Sequence, residues 1–193
     1  MQGNPTLVLD NVSIERGGKT LISNLSLTLS GPKLLWVVGE NGIGKTSFLR
    51  TCAGLCRATS GRVDWKSEGM DISAPDAIAF LPSDNYAKPG LRTWEDAQFW
   101  GADLAACAMM EHRNTPTQNL STGQAKRLSF VKLLADKKPI WILDEPLAGL
   151  DANGRTRIAR HLQTHVNDGG LALVASHAPM AVENVPTQQL VLK

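Results

Sequence analysis

The stretch Gly39-Glu40-Asn41-Gly42-Ile43-Gly44-Lys45-Thr46 fits the pattern G-x-x-x-x-G-K-[ST] without a mismatch. An apolar run, Leu34-Leu35-Trp36-Val37-Val38, leads into it, and a helix-like stretch from Ser47 to Gly54 leads out. That strand–loop–helix order gives the pattern physical content. Gly39, Gly42 and Gly44 allow backbone conformations closed to residues with a Cβ. Successive N–H groups, joined by Asn41 and Ser47 at the edges of the loop, can then converge on phosphate oxygens at a helix N-terminus, where the dipole favours an anion. Lys45 adds a cation for the β- and γ-phosphates, and Thr46 a hydroxyl for Mg²⁺. A nucleoside triphosphate with Mg²⁺ is the expected ligand.

A second apolar run, Pro139-Ile140-Trp141-Ile142-Leu143, ends in Asp144-Glu145-Pro146. A buried strand delivering two acids at its C-terminal end resembles a Walker B segment. Asp144 suits Mg²⁺, and Glu145 suits polarising the water that attacks a γ-phosphate. Just upstream, Leu120-Ser121-Thr122-Gly123-Gln124 resembles the LSGGQ signature of ABC-type ATPases, with Thr where the first Gly is usual. The same residues make a capping box, Ser121 with Gln124, at the start of a helix carrying Ala125, Leu128, Val131, Leu134 and Ala135. Leu147-Ala148-Gly149-Leu150-Asp151 looks like that family's D-loop, and Val174-Ala175-Ser176-His177 like its H-loop.

The chain therefore resembles the nucleotide-binding domain of an ABC transporter over nearly all its length. Softer features resemble the haem-exporter ATPase of cytochrome c maturation: Lys88-Pro89-Gly90-Leu91 before Trp94-Glu95-Asp96, the run Trp141 to Leu147, and the short tail after His177. The resemblance implies Glu145 and His177 as catalytic residues. It implies a head-to-tail homodimer in which Ser121, Gly123, Gln124 and Asp151 of one copy close on the nucleotide of the other. In the family an aromatic residue before the first hairpin turn stacks on adenine. Here Arg16 stands there, and it either stacks through its guanidinium plane or is merely exposed. The family's Q-loop glutamine is replaced by Pro82-Ser83-Asp84-Asn85, in which Asp84 or Ser83 is left to serve the metal. Integral-membrane transporter subunits are the implied partners. They would hold the chain peripherally on the cytoplasmic face.

At 193 residues the chain suits one domain, with a helical subdomain at roughly 84–135 inserted in the core. A net charge of +2, with no block of Lys or Arg, gives no pull toward nucleic acid. No apolar run approaches the roughly 20 residues of a membrane span, and Met1 to Pro5 lacks the basic and apolar parts of a signal peptide. The chain is expected to stay on the side of synthesis. Cys52 and Cys56 would share a helical face, either as a metal pair or as two buried thiols.

Along the chain, Thr6–Ile14 and Leu21–Leu29 read as strands about a Gly17-Gly18 turn. Gly61–Trp65 and Ala77–Leu81 follow as strands. Helices are expected from Thr93, as cap, to Trp100, from Ala102 to Glu111, after Gln124, from Asn153 to Val166 and from Pro179 to Val185. Leu171–Ala175 and Gln189–Leu192 are the last strands. Trp94 and Trp100 are either core of the small helical lobe or a socket for a membrane subunit. The fold class is α/β: a P-loop NTPase of ABC type, with a mostly parallel sheet, an antiparallel β-lobe and a helical lobe. Two other functions compete with a transport ATPase: a soluble ABC ATPase without a membrane partner, and a small-molecule kinase that would have no use for Leu120–Gln124.

Overall fold

The structure, a computed structural model, describes residues 3–84, 88–177 and 182–193. Two sheets organise it. β1 (Pro5–Arg16) and β2 (Lys19–Ser30) form a long antiparallel hairpin about Gly17-Gly18. β4 (Ser60–Ser67) pairs with the other edge of β1, and the short β5 (Met70–Asp71) with β4, giving the order β2-β1-β4-β5. The second sheet is parallel throughout, in the order β6-β7-β8-β3-β9. Its strands are β3 (Lys33–Val38), β6 (Ile78–Leu81), β7 (Ile140–Asp144), β8 (Leu171–Ala175) and β9 (Thr187–Val191).

The parallel strands β7 and β8 are buried at every position, as a sheet covered on both faces requires. Alternation then assigns each residue to a face. Ile140, Ile142 and Leu173 share a core with Phe48, Leu49 and Cys52 of α1 (Lys45–Cys52) and with Leu7 and Trp65 of the antiparallel sheet. Trp141, Leu143, Ala172 and Val174 point the other way. They pack on Leu128, Phe130 and Val131 of α4 (Thr122–Asp136) and Ile158 and Leu162 of α5 (Ala152–Asn167). Each fully buried Leu or Phe in these layers contributes about 1.5–3 kcal/mol. The Trp65 Nε1–H donates to the Cys52 carbonyl at 2.7 Å, satisfying a last-turn oxygen of α1 and tying the antiparallel sheet to that helix.

The four-residue α2 (Ala74–Ala77) precedes β6, so Ala77 ends a helix and the strand begins at Ile78. Between β6 and β7 stand α3 (Thr93–Phe99), three short 3-10 turns and α4. Asp96 of α3 and Lys132 of α4 form a buried ion pair at 2.5 Å that joins the two helices.

Several local expectations need correction. Residues 102–111 are not one helix: they form 3-10 turns at Leu104–Cys107 and Met110–His112, because Ala108 takes a left-handed φ of 53° that ends the first turn. Thr93 is not the cap of α3 but its first residue. Its hydroxyl donates to the Thr115 carbonyl, while Glu95 accepts from the Arg92 N–H at 2.6 Å. α1 ends at Cys52, so Cys56 lies beyond the helix and the shared helical face does not exist. Cys52 is buried and Cys56 half-buried, and both are free thiols. Of the helix expected at Pro179–Val185, the first residues lie outside the described ones, and residues 182–185 are not helical.

Candidate active site

The parallel strands all deliver their C-terminal ends to one edge, where a doubly wound sheet offers a crevice. β3 runs into the glycine loop, β7 ends on Asp144, β8 leads to His177, and β6 leads to Ser83. The resulting cleft is lined by Leu21, Asn41, Gly42, Gly44, Lys45, Thr46, Ser47, Ser83, Asp144, Glu145 and His177.

The glycine loop hands over to α1 through Gly44, whose φ of 118° is left-handed. A Cβ there would also stand 2.9 Å from Leu21 Cβ, so both strain and space require glycine. Lys45 is nearly buried, and its ammonium donates to the Gly39 carbonyl at 2.7 Å and the Glu40 carbonyl at 2.9 Å. The loop thus holds its own cation at the cleft. The Thr46 hydroxyl donates to Asp144 Oδ2 at 2.7 Å. Two hard oxygen donors from distant segments are thereby brought to one point, which fits a small dication such as Mg²⁺.

Glu145 has a φ of 48°, uncommon for a residue with a Cβ. Its N–H donates to the Ala175 carbonyl at 2.9 Å, continuing the β7–β8 ladder one residue past Asp144. That turn directs the carboxylate toward the next strand's exit: His177 Nε2 lies 3.3 Å from Glu145 Oε1. His177 is otherwise exposed. Its segment is fixed from below by Trp36 of β3, whose indole N–H donates to the Ser176 carbonyl at 3.1 Å. Trp36 carries no signal in the sequence beyond its place in an apolar run.

Arg16, Asp84 and Asp151 do not line this cleft. Arg16 sits at the tip of the β1–β2 hairpin, paired with Lys19, and donates to the carbonyls of Glu15 (2.8 Å) and Arg57 (3.4 Å). The hairpin residue that reaches the cleft is Leu21. Asp84 is exposed and does not line the cleft, whereas Ser83 does. The reason is local: Lys126 binds the carbonyls of Pro82 and Ser83 and so fixes the loop with Ser83 at the cleft. Asp151 caps α5 by accepting from the Gly154 N–H at 2.7 Å.

Ser121 and Gln124 form the expected capping box, Gln124 N–H to Ser121 Oγ at 3.3 Å and Ser121 N–H to Gln124 Oε1 at 2.9 Å. Neither they nor Gly123 line this chain's own cleft. They lie beside the Leu147–Asp151 segment instead. A Cβ on Gly123 would meet the Gly149 carbonyl at 2.5 Å, and one on Gly149 would meet Thr122 Cγ2 at 3.2 Å. The two segments therefore form one surface, separate from the phosphate loop.

A profile of the ABC transporter family matches residues 22–148, from the second strand through the acids of β7 to the start of the segment after them. This chain belongs to the ABC transporter family. It is an ABC-type ATPase and binds nucleotide. Among curated relatives, the cytochrome c biogenesis ATP-binding export protein CcmA of Brucella abortus (strain 2308) is 35% identical, over 92% of this chain and 87% of the relative. The CcmA protein of Chelativorans sp. (strain BNC1) is 36% identical, over 95% of this chain and 96% of the relative. Among solved structures, an ATP binding subunit of an ABC transporter superposes with a TM-score of 0.83 at 16% identity, over 96% of this chain and 85% of that one. A bacterial Atm1-family ABC exporter with ATP bound gives the same TM-score at 19% identity, this chain spanning 38% of it. At these identities the ABC ATPase members among solved structures speak for the fold. Among the described residues no helix is long and apolar enough to cross a membrane.

Proposed function

We propose that this ABC ATPase powers an export complex of cytochrome c biogenesis, with haem or a haem-handling step as its object. Two copies would sandwich two ATP molecules head to tail. The observation that carries the nucleotide chemistry is the convergence of Thr46, Asp144, Glu145 and His177 from three strand ends on one cleft. CcmA relatives at 35–36% identity over most of both chains support the choice of pathway.

The geometry supports the following roles. Loop N–H groups from Gly39 to Ser47 take the phosphates, and Lys45 exchanges its loop carbonyls for the β- and γ-oxygens. Thr46 and Asp144 would hold Mg²⁺, with Ser83 at the third side of the cleft and Asp84 one residue beyond. When bound, the ion would neutralise charge on the β- and γ-oxygens. Glu145 accepts the proton of the attacking water, and His177, in contact with it, holds water and γ-phosphate in register. Ser121, Gly123, Gln124 and Asp151 would serve the partner copy's nucleotide, a reading supported by their absence from the lining of their own chain's cleft. Arg16 would have to release the Arg57 carbonyl, which it holds at 3.4 Å, before its guanidinium could stack on adenine.

A membrane subunit would dock in the groove between α1, β6 and α4. Leu55 (61% exposed) and Trp100 (46% exposed) line it together with Phe80, Pro82 and Leu133. Trp100 would then be a socket residue, whereas Trp94 packs on the core. Such docking would place the chain on the cytoplasmic face of the membrane. Isolation of the tagged chain from native membranes, with identification of the bound subunits, tests this. Recovery of integral-membrane proteins of cytochrome c biogenesis is the expected result; recovery of another transporter's channel would reassign the pathway.

A further inference from the structure

Lys126 is the least expected of the buried side chains. It lies in the first turns of α4, two residues after Gln124, and is 1% exposed. An ammonium so placed loses its hydration and must be repaid in hydrogen bonds. It donates to the Ser83 carbonyl at 2.7 Å and the Pro82 carbonyl at 3.2 Å. Burial lowers its pKa, an effect opposed by the negative charges of Asp144, Asp84 and Glu145. The lysine therefore lies within the field of the two acids that close β7.

The two carbonyls it holds sit at a junction. Pro82 lines the large groove that also contains Leu55 and Trp100. Ser83, the next residue, lines the nucleotide cleft beside Thr46 and Glu145. No glutamine stands in this loop to reach from one side to the other. The clamp on it comes instead from the helix that the Leu120–Gln124 turn opens.

We propose that Lys126 is a positioning residue for ATP hydrolysis: through the Pro82 and Ser83 carbonyls it locks the loop between groove and cleft to α4, so that the groove, the signature turn and the nucleotide site move as one unit. The proposal rests on the reading of the cleft as the ATP site. Small misplacements at such a site weigh heavily, since a shift of about 1 Å caused far from the chemistry can cost about a hundred-fold in rate.

The test compares Lys126→Met, which keeps the apolar stem and removes charge and donors, with Lys126→Arg, which keeps both. Steady-state MgATP hydrolysis and binding of a fluorescent ATP analogue are measured on the full chain. Lys126→Met should lower kcat by about ten-fold or more with KM and analogue affinity within about three-fold, and Lys126→Arg should return to within about three-fold of the parent. A role in packing alone would lower the melting temperature and leave kcat per folded molecule unchanged; that result overturns the proposal. Should Lys126→Met not fold, Lys126→Gln takes its place, with a kcat loss of about three-fold or more expected and parental kcat contradicting it. A parent chain that binds no analogue would instead refute the reading of the cleft.

Discussion

Thr46 and Asp144 lie 98 residues apart in the chain and meet in a 2.7 Å hydrogen bond. One is the last residue of the phosphate loop motif and the other the last of a fully buried strand. The bond fixes the distance between the end of β7 and the start of α1, and it presents two oxygens side by side. Asp144→Asn keeps the shape and can keep one hydrogen bond, but removes the charge. Turnover with Mg²⁺ should fall by about a hundred-fold or more, while binding of ATP in EDTA stays within about three-fold. Parallel titrations with and without Mg²⁺ check it.

Gly123 and Gly149 bring the signature turn against the segment after the Walker B acids, with no room for a methyl group between them: the added carbon would stand 2.5 Å from a backbone oxygen. Gly123→Ala should therefore displace one of the two segments. Neither lines the chain's own cleft, so ATP affinity of the monomer should hold within about three-fold while turnover falls about ten-fold or more. Equal losses in affinity and turnover would show that the segments support their own cleft instead.

His165 stacks on Trp141 with ring centroids 3.9 Å apart, and burial lowers its pKa to about 4. Between the ordinary value near 6.5 and about 4, the unfolded chain binds a proton that the folded chain does not. The unfolded state is favoured by that excess of protons, so this group's contribution to stability is full above the upper value and is lost as pH falls through the window. His165→Phe keeps a stacked ring and cannot titrate. Its urea-unfolding free energy should drop less than the parent's between pH 6.5 and pH 4, by on the order of 3 kcal/mol. Parallel pH dependence in the two proteins would refute the assignment.

Much of this site was legible before any coordinates, because phosphate chemistry needs particular residues at particular spacings. Gly39 to Thr46 and Asp144-Glu145 announce themselves, and the Gly17-Gly18 turn between two strand-like runs marks the hairpin. What was not legible depends on distance in space. The spacing of Ala102 to Glu111 suits a helix, yet Ala108 turns left-handed and breaks it. Asp84 and Ser83 both offer an oxygen to a metal in sequence; Ser83 is the one that lines the cleft, its carbonyl held by a lysine more than forty residues away. Leu21 and Trp36 are ordinary apolar residues in sequence, and only the sheet order makes one pack on the glycine loop and the other anchor the His177 segment.

The most direct test of the head-to-tail sandwich is the mass of Glu145→Gln in solution. The substitution keeps the shape at 3.3 Å from His177 and removes the base, so ATP should bind without being consumed. Size-exclusion chromatography with light scattering in excess MgATP should show a species of twice the 20.8 kDa chain, reverting to the single chain when nucleotide is withdrawn. Glu145→Gln that stays at the mass of one chain at saturating MgATP and continues to hydrolyse it would contradict both the assigned base and the paired arrangement.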